Sequence, residues 1–235
     1  MKHFISLVVV LVVVSSVACG GSSSSSPDAA GGPSACSAAR AQLLGAVNSV
    51  STGSVTVLSS SSGVTTLYVD ASAGGLAAES ANPWIFVSLG GKAKASVTDT
   101  TSVASTGWDL ALKRPALYTN DGDGGDGQGG AVMIQKPFAS VTAADASSAA
   151  FATEKFFDAQ CNPMTDPIGA PLTTFSAWYD YDQTAHTLTP AAGTWLVRGS
   201  TGTLYKLRID SYYSAPDGSD GTGDGGTFKL DVGAL

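Results

Sequence analysis

Residues 108–133 read W-D-L-A-L-K-R-P-A-L-Y-T-N-D-G-D-G-G-D-G-Q-G-G-A-V-M, and they carry the clearest structural signal in the chain. Across 108–114, Trp108, Leu110, Leu112 and Arg114 alternate with Asp109, Ala111 and Lys113, which is the period of a β-strand with one apolar face. The glycine-rich run at 121–130 has too few side chains to form a core, so it predicts a loop. A second apolar strand returns at 131–134. The pattern therefore indicates two strands separated by a long glycine-rich loop.

The rest of the chain repeats the strand pattern between turns. Strand-like runs recur at 54–58, 64–69, 84–89, 96–103, 175–182, 186–188, 194–198, 204–213 and 227–232. Short turns separate most of them, and this favours antiparallel pairing. Apolar spacing at 37–47 predicts one short helix, and the alanine-rich segment 143–157 predicts a second. We therefore expect an all-β fold, a single antiparallel sheet or sandwich domain with one or two short helices.

The N-terminus has the composition of a secretory leader. Lys2 precedes an apolar run at 4–14, and the small residues 16–18 lead directly into Cys19. The apolar run is too short to cross a membrane as a helix. We expect a lipoprotein signal peptide at 1–18 and acylation of Cys19, which would anchor the protein to a membrane. Position 16 is Ser where such signals usually carry Leu, so ordinary cleavage that leaves Cys19 free or disulfide-bonded is the alternative.

A tether and a folded domain are expected after the leader. Residues 19–34 are rich in glycine, serine and proline, a composition typical of a disordered linker, and the folded domain is expected at 35–235. If Cys19 is acylated, Cys36 and Cys161 remain as an even pair in an oxidising compartment, which favours a disulfide. A zinc site is a poor alternative because no histidines cluster with these cysteines.

The motifs, taken in order, resemble the HmuY family of bacterial outer-membrane lipoproteins. That family's pattern is W-D-[LI]-A-[FL]-x-R, then a T-N-[GD] turn and a glycine-rich loop, and residues 108–130 match it. W-Y-D-Y-D at 178–182, W-L-V-R at 195–198 and L-Y-K-L-R-I-D-S-Y-Y at 204–213 resemble the family's closing strands. The resemblance covers 84–235. It implies a β domain that binds haem or a related tetrapyrrole at the outer membrane and passes it to an outer-membrane transporter.

The resemblance also implies two axial haem ligands from different loops, either histidines or methionines. Without the leader the chain has one histidine, His186, so two histidine ligands from one chain are impossible. Met133 and Met164 have the separation expected of such a pair and are the first candidates. The alternatives are core packing for Met133, between Val132 and Ile134, and an ordinary loop position for Met164.

Three basic residues near the same strands are candidates for pairing with haem propionates. These are Lys113, Arg114 and Lys136. A guanidinium or ammonium group forms strong charge-assisted hydrogen bonds to carboxylates. On the alternative interpretation they are solvated charges at strand ends.

His186 is expected on the surface of a hairpin at 181–188. A serine or cysteine hydrolase needs a histidine base, and one histidine near a turn, with both remaining cysteines assigned to a disulfide, supplies little for such a triad. A glycosidase carboxylate pair stays open, because its two acids need only meet in space. We therefore expect a binding protein rather than an enzyme.

Two acidic, glycine-rich loops suggest calcium as a second ligand. The acids are Asp121, Asp123 and Asp126 in the first loop and Asp220 and Asp224 in the second. A calcium site needs several hard oxygens that converge on one point, so the two loops would have to share an ion. The alternative, which the family resemblance favours, is a pair of solvated, mobile hairpin loops without a metal.

Composition limits the remaining function classes. The formal net charge is −7, and loss of Lys2 with the leader makes it one unit more negative. Such an acidic surface argues against nucleic acid as a partner. Only 13% of residues are charged and 28 are glycine, which suits short strands and turns. The alternative to haem binding is a β-rich surface lipoprotein on the same scaffold that binds a protein, a glycan or calcium.

Overall fold

The computed structural model describes residues 36–167, 169–221 and 225–235. The expected signal peptide, the acylation of Cys19 and the tether at 19–34 lie outside the described residues, as does Asp224. Within the described ranges, no helix is both long and apolar enough to cross a membrane.

Strands dominate the described chain. The strands are β1 Val55–Ser61, β2 Val64–Asp70, β3 Ile85–Ser88, β4 Ala93–Lys94, β5 Leu110–Lys113, β6 Ala116–Thr119, β7 Gly130–Ile134, β8 Tyr179–Asp182, β9 Thr187–Pro190, β10 Thr194–Arg198, β11 Leu204–Ser211 and β12 Thr227–Ala234. The helices are α1 Ser37–Leu44 and α2 Ala143–Ser147, with 3-10 turns at Glu79–Ala81 and Phe138–Ser140.

The strands form two main antiparallel sheets. One has six strands in the order β1-β2-β12-β11-β10-β7, and the other has four in the order β4-β3-β5-β6. β8 and β9 pair with each other as a separate hairpin. The prediction of a mostly β, antiparallel fold with short helices is confirmed. The loop at 121–130 does not close a hairpin, because β5 pairs with β6 and the loop then leads into β7 of the other sheet.

The two sheets pack face to face over the main apolar core. Side chains at alternate positions of both sheets contribute to it. They include Leu67, Val69, Ile85, Val87, Leu110, Leu112, Leu117, Trp195, Val197, Leu207, Ile209, Phe228 and Leu230.

The opposite face of the four-stranded sheet is buried as well, so the prediction of one apolar face at 108–114 is wrong. This second core comprises Leu44, Trp84, Phe86, Trp108, Ala111, Tyr118, Phe156 and Phe157. Leu110 and Leu112 face the main core, whereas Trp108 and Ala111 face the second. Helix α1 and the segment 156–157 cover this face. The predicted disulfide is present and connects Cys36, which directly precedes α1, to Cys161, four residues after Phe157. A covered face needs no polar side chains.

One strand prediction near this core is wrong, and one strand was not predicted. Residues 95–105 form turns and irregular chain rather than the strand expected at 96–103. The carboxylate of Asp99 organises them, because it accepts the backbone N–H groups of Val47 at 3.2 Å and Trp84 at 3.0 Å. β6 was missed because its four residues follow Pro115 directly and show too short an apolar run to register as a strand.

The predicted helix at 143–157 is much shorter than expected. α2 begins with a capping box between Thr142 and Asp145 and ends at Ser147. The chain beyond it is extended, and Ala152 exchanges backbone hydrogen bonds with Ala131 of β7 at 3.1 and 3.2 Å. Pairing with a sheet edge here outweighs the helix propensity of the alanines.

Candidate functional site

Met133 lies on β7, the outer strand of the six-stranded sheet. Its cross-strand partner is Trp195 of β10, and the indole of Trp195 lies 4.4 Å from the ring of Phe175, measured between ring centres. The Met133 side chain is half-buried and packs against the main core. Its sulfur accepts a hydrogen bond from the Gln135 amide at 3.4 Å. The thioether therefore lies beside an aromatic pair at a sheet edge. This position is compatible both with core packing and with binding a ligand.

Met164 lies in a set of nested turns between Phe157 and Phe175. Its backbone N–H donates to the Phe156 carbonyl at 2.7 Å, and its own carbonyl accepts from Leu172 at 3.0 Å. Leu172 is three residues before Phe175, the ring that packs on Trp195. The described contacts place Met133 beside this aromatic pair but do not bring the Met164 side chain to it.

The three basic candidates lie in two different environments. Lys136 follows β7 and bonds both carboxylate oxygens of Asp145 at 2.7 Å. Arg114, in the turn between β5 and β6, lies 3.4 Å from Glu79. Its neighbour Lys113 is partly buried beside the Trp84 ring, and this burial lowers the pKa of the Lys113 ammonium. A propionate would have to replace an existing carboxylate at Lys136 or Arg114.

The glycine loop, residues 120–130, is largely buried, so the alternative of a solvated, mobile hairpin loop is wrong. Its backbone wraps around Asn120, whose side-chain amide donates to the carbonyls of Ser105 at 2.8 Å and Trp108 at 2.9 Å. A Cβ on Gly129 would approach the Asn120 carbonyl carbon to 2.9 Å. The glycines are therefore needed because only a chain without side chains can close around Asn120 at this distance.

The three acidic side chains of this loop differ in hydrogen bonding and in burial. The carboxylate of Asp123 accepts the backbone N–H groups of Phe156 at 2.6 Å and Phe157 at 3.1 Å. Asp121 is buried, and Asp126 is exposed. Among the residues with described positions, no group of three His, Cys, Asp or Glu side chains is arranged to hold a metal ion. In the second loop, Asp217 and Asp220 are both exposed.

The sequence analysis missed Glu154, a buried acid beside the glycine loop. Its side chain is 2% exposed and accepts the Thr119 backbone N–H at 2.9 Å and the Thr174 backbone N–H at 3.0 Å. The Thr119 hydroxyl lies between the Glu154 and Asp121 carboxylates, at 3.2 and 2.6 Å. Burial raises the pKa of Glu154 to about 7 and also raises the pKa of Asp121. No local pattern marks Glu154, because its partners are distant in sequence.

His186 lies just before β9 on the β8–β9 hairpin, exposed as expected. Its Nδ1 lies 2.7 Å from the hydroxyl of Tyr181, which is also exposed. The pair lies on the separate β8–β9 hairpin and not on the six-stranded sheet that contains Met133.

The family can now be assigned. A family model described as HmuY protein matches residues 80–224. The chain belongs to the HmuY family. The match includes every strand from β3 to β11 and the glycine loop, and it confirms the resemblance read from the sequence motifs.

Solved structures that match part of the chain include three bacterial proteins of low sequence identity. A protein described as a lipoprotein from Bacteroides fragilis is 20% identical, with a TM-score of 0.46, over 76% of this chain and 93% of that one. A protein described as an HmuY-like haem-binding protein from Bacteroides vulgatus is 19% identical, with a TM-score of 0.46, over 76% and 96%. The apo HmuY analogue from Tannerella forsythia is 13% identical, with a TM-score of 0.42, over 72% and 95%. A search of curated proteins returned no match.

Proposed function

We propose that this HmuY family member binds haem or a related tetrapyrrole and passes it to an outer-membrane transporter. The observation that carries the proposal is the family match over residues 80–224. The family is one of binding proteins, so the proposed role requires no catalytic group.

Met133 and Met164 are the proposed axial ligands. The surroundings of Met133 support this role because they are apolar: its cross-strand partner Trp195 packs on Phe175, with ring centres 4.4 Å apart and ring planes tilted by 41°. Met164 belongs to the turns that lead into Phe175. Thioether sulfur is a soft ligand, so a site with two methionines favours ferrous over ferric iron.

The propionates are proposed to bind Arg114, Lys113 or Lys136. Arg114 lies 3.4 Å from Glu79 and donates to the Gly225 carbonyl at 3.0 Å, and Lys136 is bonded to both oxygens of Asp145 at 2.7 Å, so a propionate at either residue has to displace a carboxylate.

A hemin titration of the full chain tests the proposal. We expect a shift of the Soret band, with tighter binding under dithionite than in air. Met133→Ala and Met164→Ala should each weaken binding. His186→Ala is the control and should change little, since His186 is exposed and bonded to Tyr181. Unchanged affinity in both methionine variants, or loss only in the histidine variant, would overturn the ligand assignment. If wild type gives no spectral shift, a β-rich surface module on the same scaffold becomes the better account.

We also propose that the protein is anchored to the outer membrane through an acylated Cys19. Cys19→Ser should move the protein from membrane to soluble fractions. Retention of the variant in the outer membrane, together with an unmodified N-terminal mass in wild type, would contradict this anchoring.

A further inference from the structure

Glu154 bonds two parts of the chain that are distant from it in sequence. Its carboxylate accepts the backbone N–H and the hydroxyl of Thr174, at 3.0 and 2.5 Å. It also accepts the backbone N–H of Thr119, at the end of β6, at 2.9 Å. The bonds between Glu154 and Thr174 close a loop of the chain, and this pair of residues is here called the clasp.

The loop that the clasp closes includes an exposed segment, residues 162–172, here called the flap. Before the flap, the chain is fixed by the disulfide between Cys161 and Cys36. Inside the flap, the Met164 backbone N–H donates to the Phe156 carbonyl at 2.7 Å. None of the flap residues that the structure describes is buried. Segments with little buried surface open locally at a lower free energy than the core, so the flap depends on its attachments at the two ends.

A second carboxylate near Glu154 belongs to Asp121 of the glycine loop. The Thr119 hydroxyl lies between the two, 2.6 Å from Asp121 Oδ1 and 3.2 Å from Glu154 Oε1. A hydroxyl has one proton, so it donates to one carboxylate at a time, and the shorter distance indicates Asp121. Its oxygen is then an acceptor towards Glu154. This arrangement suits a protonated Glu154 carboxyl and repels an ionised one.

The other titratable groups of the neighbouring elements are engaged elsewhere. Arg40 of α1 and Arg198 of β10 donate to backbone carbonyls of the glycine loop. The Asp123 carboxylate accepts two backbone N–H groups. Burial raises the pKa of Tyr118 on β6, so its hydroxyl stays neutral. The charge that acts most directly on Glu154 from another element is therefore that of Asp121.

Ionisation of Glu154 favours opening of the clasp on the Thr174 side. Burial raises the pKa of Glu154 to about 7, and the Asp121 charge acts in the same direction. Two ionised carboxylates in one buried site repel each other and lack hydration. Thr119 is held in β6 by pairing with Leu110 of β5, whereas Thr174 lies in a turn. Movement at Thr174 is the smaller rearrangement that brings the Glu154 carboxylate into water.

We propose that the clasp is pH-sensitive: it holds the flap against the domain while Glu154 is protonated and releases the flap when Glu154 is ionised. The inference concerns the free protein and does not depend on haem binding. The flap carries Met164, so its release also moves one of the proposed axial ligands. That consequence alone rests on the proposed function.

Hydrogen–deuterium exchange of the full chain without hemin, at pH 5.5 and pH 8.5, tests the proposal. Each rate is divided by the rate of an unstructured peptide at the same pH, which gives a protection factor. The protection factors of the flap amides should fall at least about tenfold between the two pH values. Low concentrations of urea should leave flap exchange unchanged, because local opening exposes little surface, whereas amides of β10 and β11 should respond to urea.

Three variants connect this pH dependence to the clasp. Glu154→Gln cannot ionise, so its flap protection should change less than about twofold between the two pH values. Thr174→Val removes the hydroxyl bond and should lower flap protection at pH 5.5 towards the wild-type value at pH 8.5. Asp166→Asn is the matched control, because Asp166 is the acid of the flap itself and faces Tyr179 rather than Glu154. It should keep the wild-type pH dependence.

Three results would overturn the proposal. These are equal flap protection at both pH values in wild type, a wild-type pH dependence in Glu154→Gln, and flap amides that exchange only together with those of β10 at every urea concentration. Should Glu154→Gln fail to fold, the wild-type measurement and Thr174→Val decide, since unchanged flap protection at pH 5.5 in Thr174→Val also contradicts the clasp. A wild-type chain that gives no Soret shift with hemin bears on the haem proposal and leaves this one unaffected.

Discussion

Two loops of this protein have nearly the same composition, but two of the three acids of the first are buried, whereas the described acids of the second are exposed. The glycine loop reads N-D-G-D-G-G-D-G-Q-G-G at 120–130, and the second loop reads D-G-S-D-G-T-G-D-G-G at 217–226. Asp121 and Asp123 of the first are buried, whereas Asp217 and Asp220 of the second are exposed. Composition alone would give both loops the same structure, so the difference must come from their partners.

The partners of the glycine loop are distant in sequence, whereas those of Asp217 are local. Asp123 bonds the backbone of Phe156 and Phe157, and Asn120 bonds the chain before β5. Asp217 accepts from the backbone and hydroxyl of Ser219 at 3.0 and 2.6 Å. An acid that satisfies distant backbone groups is drawn into the interior. A carboxylate that accepts hydrogen bonds from its own turn can remain exposed to solvent.

The largest effect is expected at Asn120. Asn120→Ala removes hydrogen bonds to the buried carbonyl of Trp108, to the partly buried carbonyl of Ser105 and to the partly buried Gly127 N–H. With roughly 1 kcal/mol for each bond, we expect a loss of about 3 kcal/mol in the free energy of unfolding, measured with urea. Asn162→Ala is the matched control, because its amide bonds Asp158 at the surface, and it should lie within about 0.5 kcal/mol of wild type. Equal losses in the two variants would contradict the comparison.

Burial of Glu154 predicts a fall in stability as the pH rises. The pKa of Glu154 is about 7 in the folded protein, against 4.5 for an ordinary glutamate. Between these values the unfolded chain loses its proton first. The stabilisation is therefore complete below about pH 4.5 and declines up to about pH 7, by at most roughly 3 kcal/mol. Burial also raises the pKa of Asp121, which acts in the same direction.

Urea unfolding of Glu154→Gln across this pH range checks the assignment. The variant should show a flatter pH dependence than wild type, whatever its absolute stability, since Gln cannot titrate. Glu79→Gln is the control, because Glu79 is partly exposed and pairs with Arg114, and it should keep the wild-type slope. A wild-type slope in Glu154→Gln would rule out Glu154 as the source.

The close approach of the glycine backbone should make Ala costly in the glycine loop. A Cβ on Gly124 would clash with the Thr119 carbonyl oxygen and lie 2.9 Å from the Asp121 carbonyl oxygen. Because both are backbone atoms, they cannot move aside as a flexible side chain could. Gly124→Ala should therefore lose about 1–3 kcal/mol of unfolding free energy. At Gly107 the nearest atom to a Cβ is the Ser105 hydroxyl at 3.4 Å, so Gly107→Ala should be nearly neutral. If Gly124→Ala is as stable as Gly107→Ala, the loop is looser than the structure shows.

The sequence predicted what depends on local pattern. The period of two at 108–114 correctly predicted a strand where β5 lies, and the two cysteines that remain once Cys19 is assigned to acylation were correctly predicted to pair, Cys36 with Cys161. The second apolar face, the buried state of the glycine loop and the role of Glu154 were not predicted. Each depends on groups far apart in the chain, such as Thr119 with Glu154, and local periodicity contains no information about those contacts.

The smallest effect is expected at Asp217, and it is the sharpest test of the comparison. Hydrogen bonds from Ser219 lower the pKa of the Asp217 carboxyl, so its contribution to stability is present above the ordinary aspartate range and lost in acid. The side chain is exposed, and water can replace these bonds when it is removed. Asp217→Ala should therefore leave the urea midpoint at neutral pH unchanged within error, whereas Asp123→Ala leaves two buried N–H groups unpaired and should lower it clearly. Similar midpoints for the two variants would mean that burial of the partner groups does not distinguish the loops.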